Sequence, residues 1–190
     1  MKIHLQTPGE IRLQIWKELG RASLDRHHEW RTSVMASTDA VGLPDARTVV
    51  LRQVDAQAGR LTFYTDSRSP KVAQLQAQAS AMLVFWSARL SWQLRVRVLC
   101  SVISSGPEVE ALWQKVQQSA AAGDYLSPLP PGAVLPQGST ADLGTVNVPM
   151  PAHSLAIVRA QVLQMDWLEL SREGHRRAQM SADTWDWLTP

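Results

Sequence analysis

Ser33-Val34-Met35-Ala36-Ser37-Thr38, Arg47-Thr48-Val49-Val50-Leu51-Arg52 and Leu61-Thr62-Phe63-Tyr64-Thr65 are three short runs whose residue types suit strands. The stretches between them are turn-forming: residues 39–45 contain Gly42 and Pro44, and residues 55–59 end in Gly59. Short runs rich in β-branched and aromatic residues, separated by such punctuation, predict an antiparallel meander.

The reading extends outward from this meander. Upstream, Thr7-Pro8-Gly9-Glu10 predicts a helix start, with Thr7 as cap, Pro8 in the first turn and Glu10 placed to complete a capping box. Ile11, Ile15 and Leu19 then share one helical face, with Trp16 alongside, and the helix is expected to end near Gly20 or to continue toward His28. Downstream, Ser69-Pro70-Lys71 predicts a short helix capped by Ser69, with Val72 and Leu75 buried and its glutamines, Gln74 to Gln78, as a solvated face. Strands follow at Ala81 to Trp86 and Trp92 to Ser104, then a helix at Glu108 to Ala122. Residues 123–151 are rich in proline and glycine, as expected of a lid or arm. Further strands are expected at Ser154 to Met165, Trp167 to Leu170, Ala178 to Ser181 and Thr184 to Leu188. Many antiparallel strands with few helices predict a mainly β chain, a barrel with accessory helices rather than a doubly wound sheet, in one domain over residues 1–190.

Composition narrows the function. The chain has 190 residues, 45% hydrophobic, which is ample for a core. A single cysteine, Cys100, excludes a disulfide framework and a cysteine-based zinc site. Adjacent His27 and His28 diverge on any regular element, so no metal site is expected. With no run of about 18 apolar residues and no apolar leader after Met1, a soluble, cytoplasmic protein without membrane contact is expected. The formal net charge is only +2, which gives no case for nucleic acid, although eight basic residues between Arg47 and Arg97 face only Asp55 and Asp66. No P-loop, G-x-G-x-x-G or G-x-S-x-G motif occurs, and no catalytic residue stands out.

Three places could carry chemistry. Arg47 and Arg52 are five residues apart on one strand, so they point to opposite faces unless a bulge intervenes; each is either a ligand contact or a solvated strand end. Arg68-Ser69-Pro70-Lys71 gathers two cations and a hydroxyl at a helix N-terminus, as in an anion site or an ordinary capped helix. Gln93, beside Trp92 and Arg95, offers both a donor and an acceptor, which suits the edge of a heterocycle.

Taken in order, Arg47 to Arg52, Phe63-Tyr64-Thr65-Asp66, Ser69-Pro70-Lys71-Val72-Ala73-Gln74-Leu75, Leu83-Val84-Phe85-Trp86 and Gln93 resemble pyridoxamine 5'-phosphate oxidase and its FMN-binding relatives, as does the closing Leu188-Thr189-Pro190. The resemblance implies an FMN-binding split β-barrel, Greek-key-like, in a homodimer with FMN in two interface clefts. By position, Arg47 and Lys71 would hold the FMN phosphate with Ser69 beside them. Tyr64 and Thr65 would contact the phosphate and ribityl chain. Thr48, Val49, Val50 and Leu51 would run beside the flavin, and Gln93 would reach its ring from either subunit. The family has a second basic residue where this chain has Pro70, and Arg68 is the candidate substitute. A family lysine that touches flavin and substrate is Arg52 here, and a flavin-lining tryptophan is Leu168. The substrate-phosphate patch is matched only by Lys115 and Ser119, and the basic substrate loop by His175-Arg176-Arg177; Gln137 and Ser139 are further possible flavin contacts. The implied function is an FMN-dependent oxidoreductase acting on a small substrate, with a non-catalytic carrier of FMN or a vitamin B6 phosphate as the alternative.

Overall fold

The computed structural model describes residues 7–135, 153–181 and 184–190. The N-terminal six residues, much of the proline-rich segment, and Gln137 and Ser139 within it lie outside the described residues. The first helix, α1 (Pro8–Leu24), starts as its sequence dictates. The Thr7 hydroxyl accepts from Glu10 N at 3.3 Å while Thr7 N donates to the Glu10 carboxylate at 3.0 Å. It runs past Gly20, burying Ile11, Ile15, Leu19 and Ala22. A 3-10 turn (Glu29–Arg31) leads into β1 (Thr32–Thr38), β2 (Pro44–Asp55) and β3 (Arg60–Asp66), the expected meander. The β2–β3 turn closes on Gly59 at φ +64°, a left-handed conformation that costs glycine least.

The short helix α2 (Pro70–Ala77) is followed by β4 (Ser80–Ser87), β5 (Trp92–Ile103), α3 (Pro107–Val116), a second 3-10 segment (Ala120–Tyr125), β6 (Leu155–Glu169), β7 (Arg176–Met180) and β8 (Trp185–Leu188). The strand order is β3-β2-β1-β4-β5-β6-β7-β8, and an additional β3–β6 pairing closes the first six strands into an antiparallel barrel. The return of β4 beside β1 after a three-strand meander is the Greek-key arrangement. Inside the barrel, Trp30, Phe85, Trp92 and Trp167 form a contiguous aromatic series with ring centroids 5.3 to 6.4 Å apart.

Two expectations are corrected. The helix expected to reach Ala122 ends at Val116, where the Gln117 N–H caps it on Trp113 O and Ser119 then nucleates the 3-10 segment by accepting from Ala121 N. The two strands expected on either side of Asp166 are one 15-residue strand. Asp166 does not interrupt it because its carboxylate is held on the sheet surface by Arg95 and Arg177. The local irregularity is instead a bulge near Leu163, opposite Arg97 and Val98.

Helix α1 is tied to the barrel by a buried carboxylate. Glu18, 1% exposed, meets His28 Nε2 at 2.9 Å and accepts from Arg89 Nη2 at 2.7 Å and Gln14 Nε2 at 2.9 Å. His28 Nδ1 accepts from Trp30 N, so its Nε2 carries the proton toward Glu18. Removing the carboxylate leaves these donors facing each other across a buried gap. Glu18→Ala should therefore cost about 3 kcal/mol of stability, read as a lower urea midpoint with an unchanged m-value.

Candidate functional site

The barrel is open along one seam. The β2–β3 ladder runs only from Leu51–Phe63 to Asp55–Arg60, with a bulge at Arg52. Beyond it, β2 from Pro44 to Val50 pairs with β1 alone, while β3 from Tyr64 to Asp66 pairs with β6 alone. Backbone groups of β2 that alternate away from β1 thus face a slot rather than a strand. Side chains follow the two-residue period: Arg47, Val49 and Leu51 point inward, and Thr48, Val50 and Arg52 point outward. Val49 and Leu51 belong to the core, so any contact they make with a ligand in the slot runs through their backbone.

At one end of this slot lies a cationic corner. Lys71 Nζ donates to Thr65 Oγ1 at 3.0 Å and to Ser69 Oγ at 3.2 Å. The Ser69 side chain makes no capping bond to α2, contrary to expectation; its oxygen is taken up by Lys71 and Thr65. Burial, and then the nearby Arg47 charge, hold the Lys71 ammonium below the usual lysine range, and Asp66 and Asp45 offset this only in part. Arg47, 18% exposed, donates to Ser37 Oγ at 2.6 Å, Met35 O at 3.2 Å and Gln74 Oε1 at 2.7 Å, and pairs with Asp45 at 2.5 Å. Gln74 Nε2 in turn donates to Asp45 at 2.8 Å.

Gln74 was expected on a solvated face, but one helical turn after Lys71 it orients Arg47 instead. The spacing from Lys71 to Gln74 was visible in the sequence; the position of Ser37 and Asp45 beside Arg47 depended on the β1–β2 register, in which Ser37 pairs with Asp45 and Met35 with Arg47.

Arg68 has a different setting. Its Nε and Nη2 clamp Asp66 at 3.0 and 2.6 Å, and Nη2 also donates to Ser127 O at 2.9 Å. Ser154 Oγ completes the node by donating to Asp66 at 2.7 Å. The guanidinium thus fastens the loop before α2 to the segments on either side of the undescribed stretch.

The remaining candidates are dispersed. Gln93 stands half-buried on the outer face of β5 between Trp86 and Leu168. Arg52 stacks over Tyr64, with its Cζ 5.7 Å from the ring centroid. Tyr64, whose hydroxyl is pushed up chiefly by burial, accepts from Gln53 at 2.9 Å. Lys115 lines a cavity of about 230 Å³ with Gln53, Arg60, Tyr64, Glu108 and Arg159. Ser119 is occupied as a cap. Arg176 pairs with Glu169, Arg177 with Asp166, and His175 Nδ1 accepts from Ser171 N.

Two cations with hydroxyl donors, one of them a desolvated lysine without a carboxylate of its own, form a suitable receptor for a dianionic phosphate. The slot leading away from it offers backbone polar groups and a tyrosine.

Known proteins resemble the chain over the region that holds this site. The family model described as "Pyridoxamine 5'-phosphate oxidase, FMN-binding domain" matches residues 13–104, which include the slot and the cationic corner. A pyridoxine/pyridoxamine 5'-phosphate oxidase of Maricaulis maris is 34% identical over 126 residues, covering 63% of this chain and 55% of that protein. The chain thus spans little more than half the length of such curated relatives. Among solved structures, a pyridoxamine 5'-phosphate oxidase-related, FMN-binding protein of Nostoc punctiforme superposes with a TM-score of 0.72 at 23% identity, covering 98% of this chain and 100% of the other. PhzG of Burkholderia lata, in complex with tetrahydrophenazine-1-carboxylic acid, gives 0.70 at 17% identity, with full coverage of both chains. These two likenesses establish the fold.

The Asp66 node makes a pH-dependent prediction. Burial pushes the Asp66 carboxyl up, but hydrogen bonds from Arg68 and Ser154 outweigh it and hold the group below the usual carboxylate range. A folded-state value below the unfolded one contributes stability that is complete above the unfolded value of about 3.9 and is lost as pH falls through the folded one. Asp66→Asn should be less stable than the parent at pH 7, and the gap in thermal midpoint should close on acidification below about pH 4.

Proposed function

We propose that the chain, whose residues 13–104 match the FMN-binding domain model of pyridoxamine 5'-phosphate oxidase, is an FMN-dependent oxidoreductase of that split-barrel family acting on a small substrate. The observation that carries this reading is the juxtaposition of Arg47 and Lys71, with Thr65 and Ser69, at the end of the β2–β3 slot. The donor set fits a phosphate monoester: two permanent or near-permanent cations, two hydroxyls, and a desolvated ammonium whose charge an anion would restore.

When bound, FMN supplies the capacity to take a hydride or electrons from a substrate and pass them on. The protein's part is binding and orientation. Arg47, aimed by Gln74 and Asp45, and Lys71 grip the phosphate, while Ser69 and Thr65 donate their hydroxyls to it. Arg68 keeps the Ser69–Lys71 loop in place through Asp66. Tyr64 and Thr65 would hold the ribityl chain, and the backbone of Thr48 to Leu51 would contact the ring. Arg52 and Gln93 are the side chains assigned to the ring's far end.

The assembly we propose is a homodimer with FMN at the interface. The outer face of the barrel supports it: Val34 and Trp86 are each more than 40% exposed, and Val84, paired with Val34 and two residues from Trp86, joins them on the same face. An apolar strip of this kind on a sheet calls for cover. Sedimentation velocity should give twice the chain mass, and Trp86→Glu should shift the protein toward the monomer.

Flavin fluorescence quenching tests the central reading. Arg47→Ala and Lys71→Met should each weaken FMN binding by at least about a hundredfold, as expected when a charged partner of a phosphate is lost. Lys71→Met should leave the ligand-free protein at least as thermally stable as the parent, because it removes a desolvated cation. Unchanged FMN affinity in both variants would overturn the assignment. Bound flavin that stays oxidised with every substrate and reductant tried would reduce the function to FMN carriage.

A further inference from the structure

We propose that Lys71 is a modification site: an acyl phosphate, seated by its phosphoryl group in the Arg47–Lys71 corner, transfers its acyl group to the Lys71 amine and closes the corner to flavin. The proposal rests on the reading of this corner as a phosphate receptor, and it adds a means of regulation to that reading.

The lysines of the chain are Lys2, Lys17, Lys71 and Lys115, and Lys2 lies outside the described residues. The other three differ in setting. Lys17 is exposed on α1. Lys115 shares its cavity with Arg60 and Arg159, but Arg60 is paired with Asp55 and Arg159 with Glu108, so those cations are already neutralised. Lys71 is half-buried, and among the described residues no carboxylate forms an ion pair with it. Its Nζ lies 3.0 Å from Thr65 Oγ1 and 3.2 Å from Ser69 Oγ, and those two hydroxyls are themselves 3.2 Å apart. The amine thus sits on a pair of hydroxyls, with the Arg47 charge acting on it from β2.

Two requirements of amine acylation meet there. The amine reacts in its neutral form, and burial together with Arg47 enlarges that fraction, with Asp66 and Asp45 opposing them only in part. The donor must also be held with its acyl carbon beside the nitrogen. In an acyl phosphate that carbon is joined to phosphorus through a single oxygen. A phosphoryl group held by the Arg47 charge and by the Thr65 and Ser69 hydroxyls therefore carries the acyl carbon to the amine that shares those hydroxyls. Neither Lys17 nor Lys115 has such a receptor beside it.

The step balances without a further reagent. The neutral amine attacks the acyl carbon, a C–N bond forms, and the C–O bond to the phosphoryl group breaks. The amine's proton leaves with inorganic phosphate, and nothing is oxidised or reduced. The product is an amide, which has lost the charge that the corner offers to FMN. FMN and the acyl phosphate compete for the same groups, so flavin-free protein is the target and flavin-loaded protein is protected.

The test uses acetyl phosphate, beside the N-hydroxysuccinimide ester of acetic acid, which delivers the same acyl group without a phosphate. Flavin-free protein is treated with each, and acetylation of Lys17, Lys71 and Lys115 is followed by peptide mass spectrometry. With acetyl phosphate, Lys71 should react at least about tenfold faster than the other two, and the preference should fall with the ester. Inorganic phosphate and FMN should each slow Lys71 and leave Lys17 unchanged. Ser69→Ala and Arg47→Gln should slow Lys71 toward acetyl phosphate while its reaction with the ester persists, which sets a lost receptor apart from a lost fold. Preferential acetylation of Lys71 in a protein that takes up no FMN would keep this site and reject the flavin reading. Equal rates at the three lysines, the same preference with both donors, or a Lys71 rate that saturating FMN leaves unchanged in protein that binds it, would overturn the site.

Discussion

Two cations held close together with only the Asp45 carboxylate paired to either of them, among the described residues, set the terms for this molecule. Arg47 and Lys71 come from different elements, β2 and α2, and neither can relax away from the other. Arg47 is fixed by Ser37, Met35, Gln74 and Asp45, and Lys71 by Thr65 and Ser69. Burial lowers the ammonium's proton affinity before any neighbour is considered. A fold that tolerates such an arrangement carries a standing cost, which a phosphate would remove. The Arg68–Asp66–Ser154 node has the complementary part, since it is internally neutralised and fixes the loop from which Ser69 and Lys71 project.

The slot follows from how the barrel closes. Six strands are enough to complete the circuit through β3 and β6, but β2 and β3 diverge after Leu51 and Phe63. The bulge at Arg52 marks where they part, and it raises the local twist of β2. Val49, Leu51 and Phe63 beside the split belong to the core, so it stays sealed while the backbone of Thr48 to Val50 faces the slot. On the proposed reading, the incomplete ladder supplies the binding groups, and the sheet needs no large cavity to provide them.

Much of this was legible in the sequence because the signals were local. Alternation and turn residues gave β1 to β3, and the capping box placed the start of α1. The odd spacing of Arg47 and Arg52 put them on opposite faces, which the register bears out. Long-range constraints were not legible. Asp166 looked like a break until Arg95 and Arg177 converged on it from neighbouring strands. Gln74 looked solvated because nothing local announces that β1 and β2 deliver Ser37 and Asp45 beside it. Arg68 looked like part of the anion site because Asp66, only two residues away, could as easily have faced solvent.

If a phosphate gripped by Arg47 and Lys71 anchors the flavin, the affinities of the purified protein for FMN and for riboflavin, which lacks the phosphate, should differ. FMN should bind at least about a hundredfold more tightly, a difference that shrinks toward unity in Lys71→Met. Equal affinities for the two flavins, or failure to take up either, would contradict it.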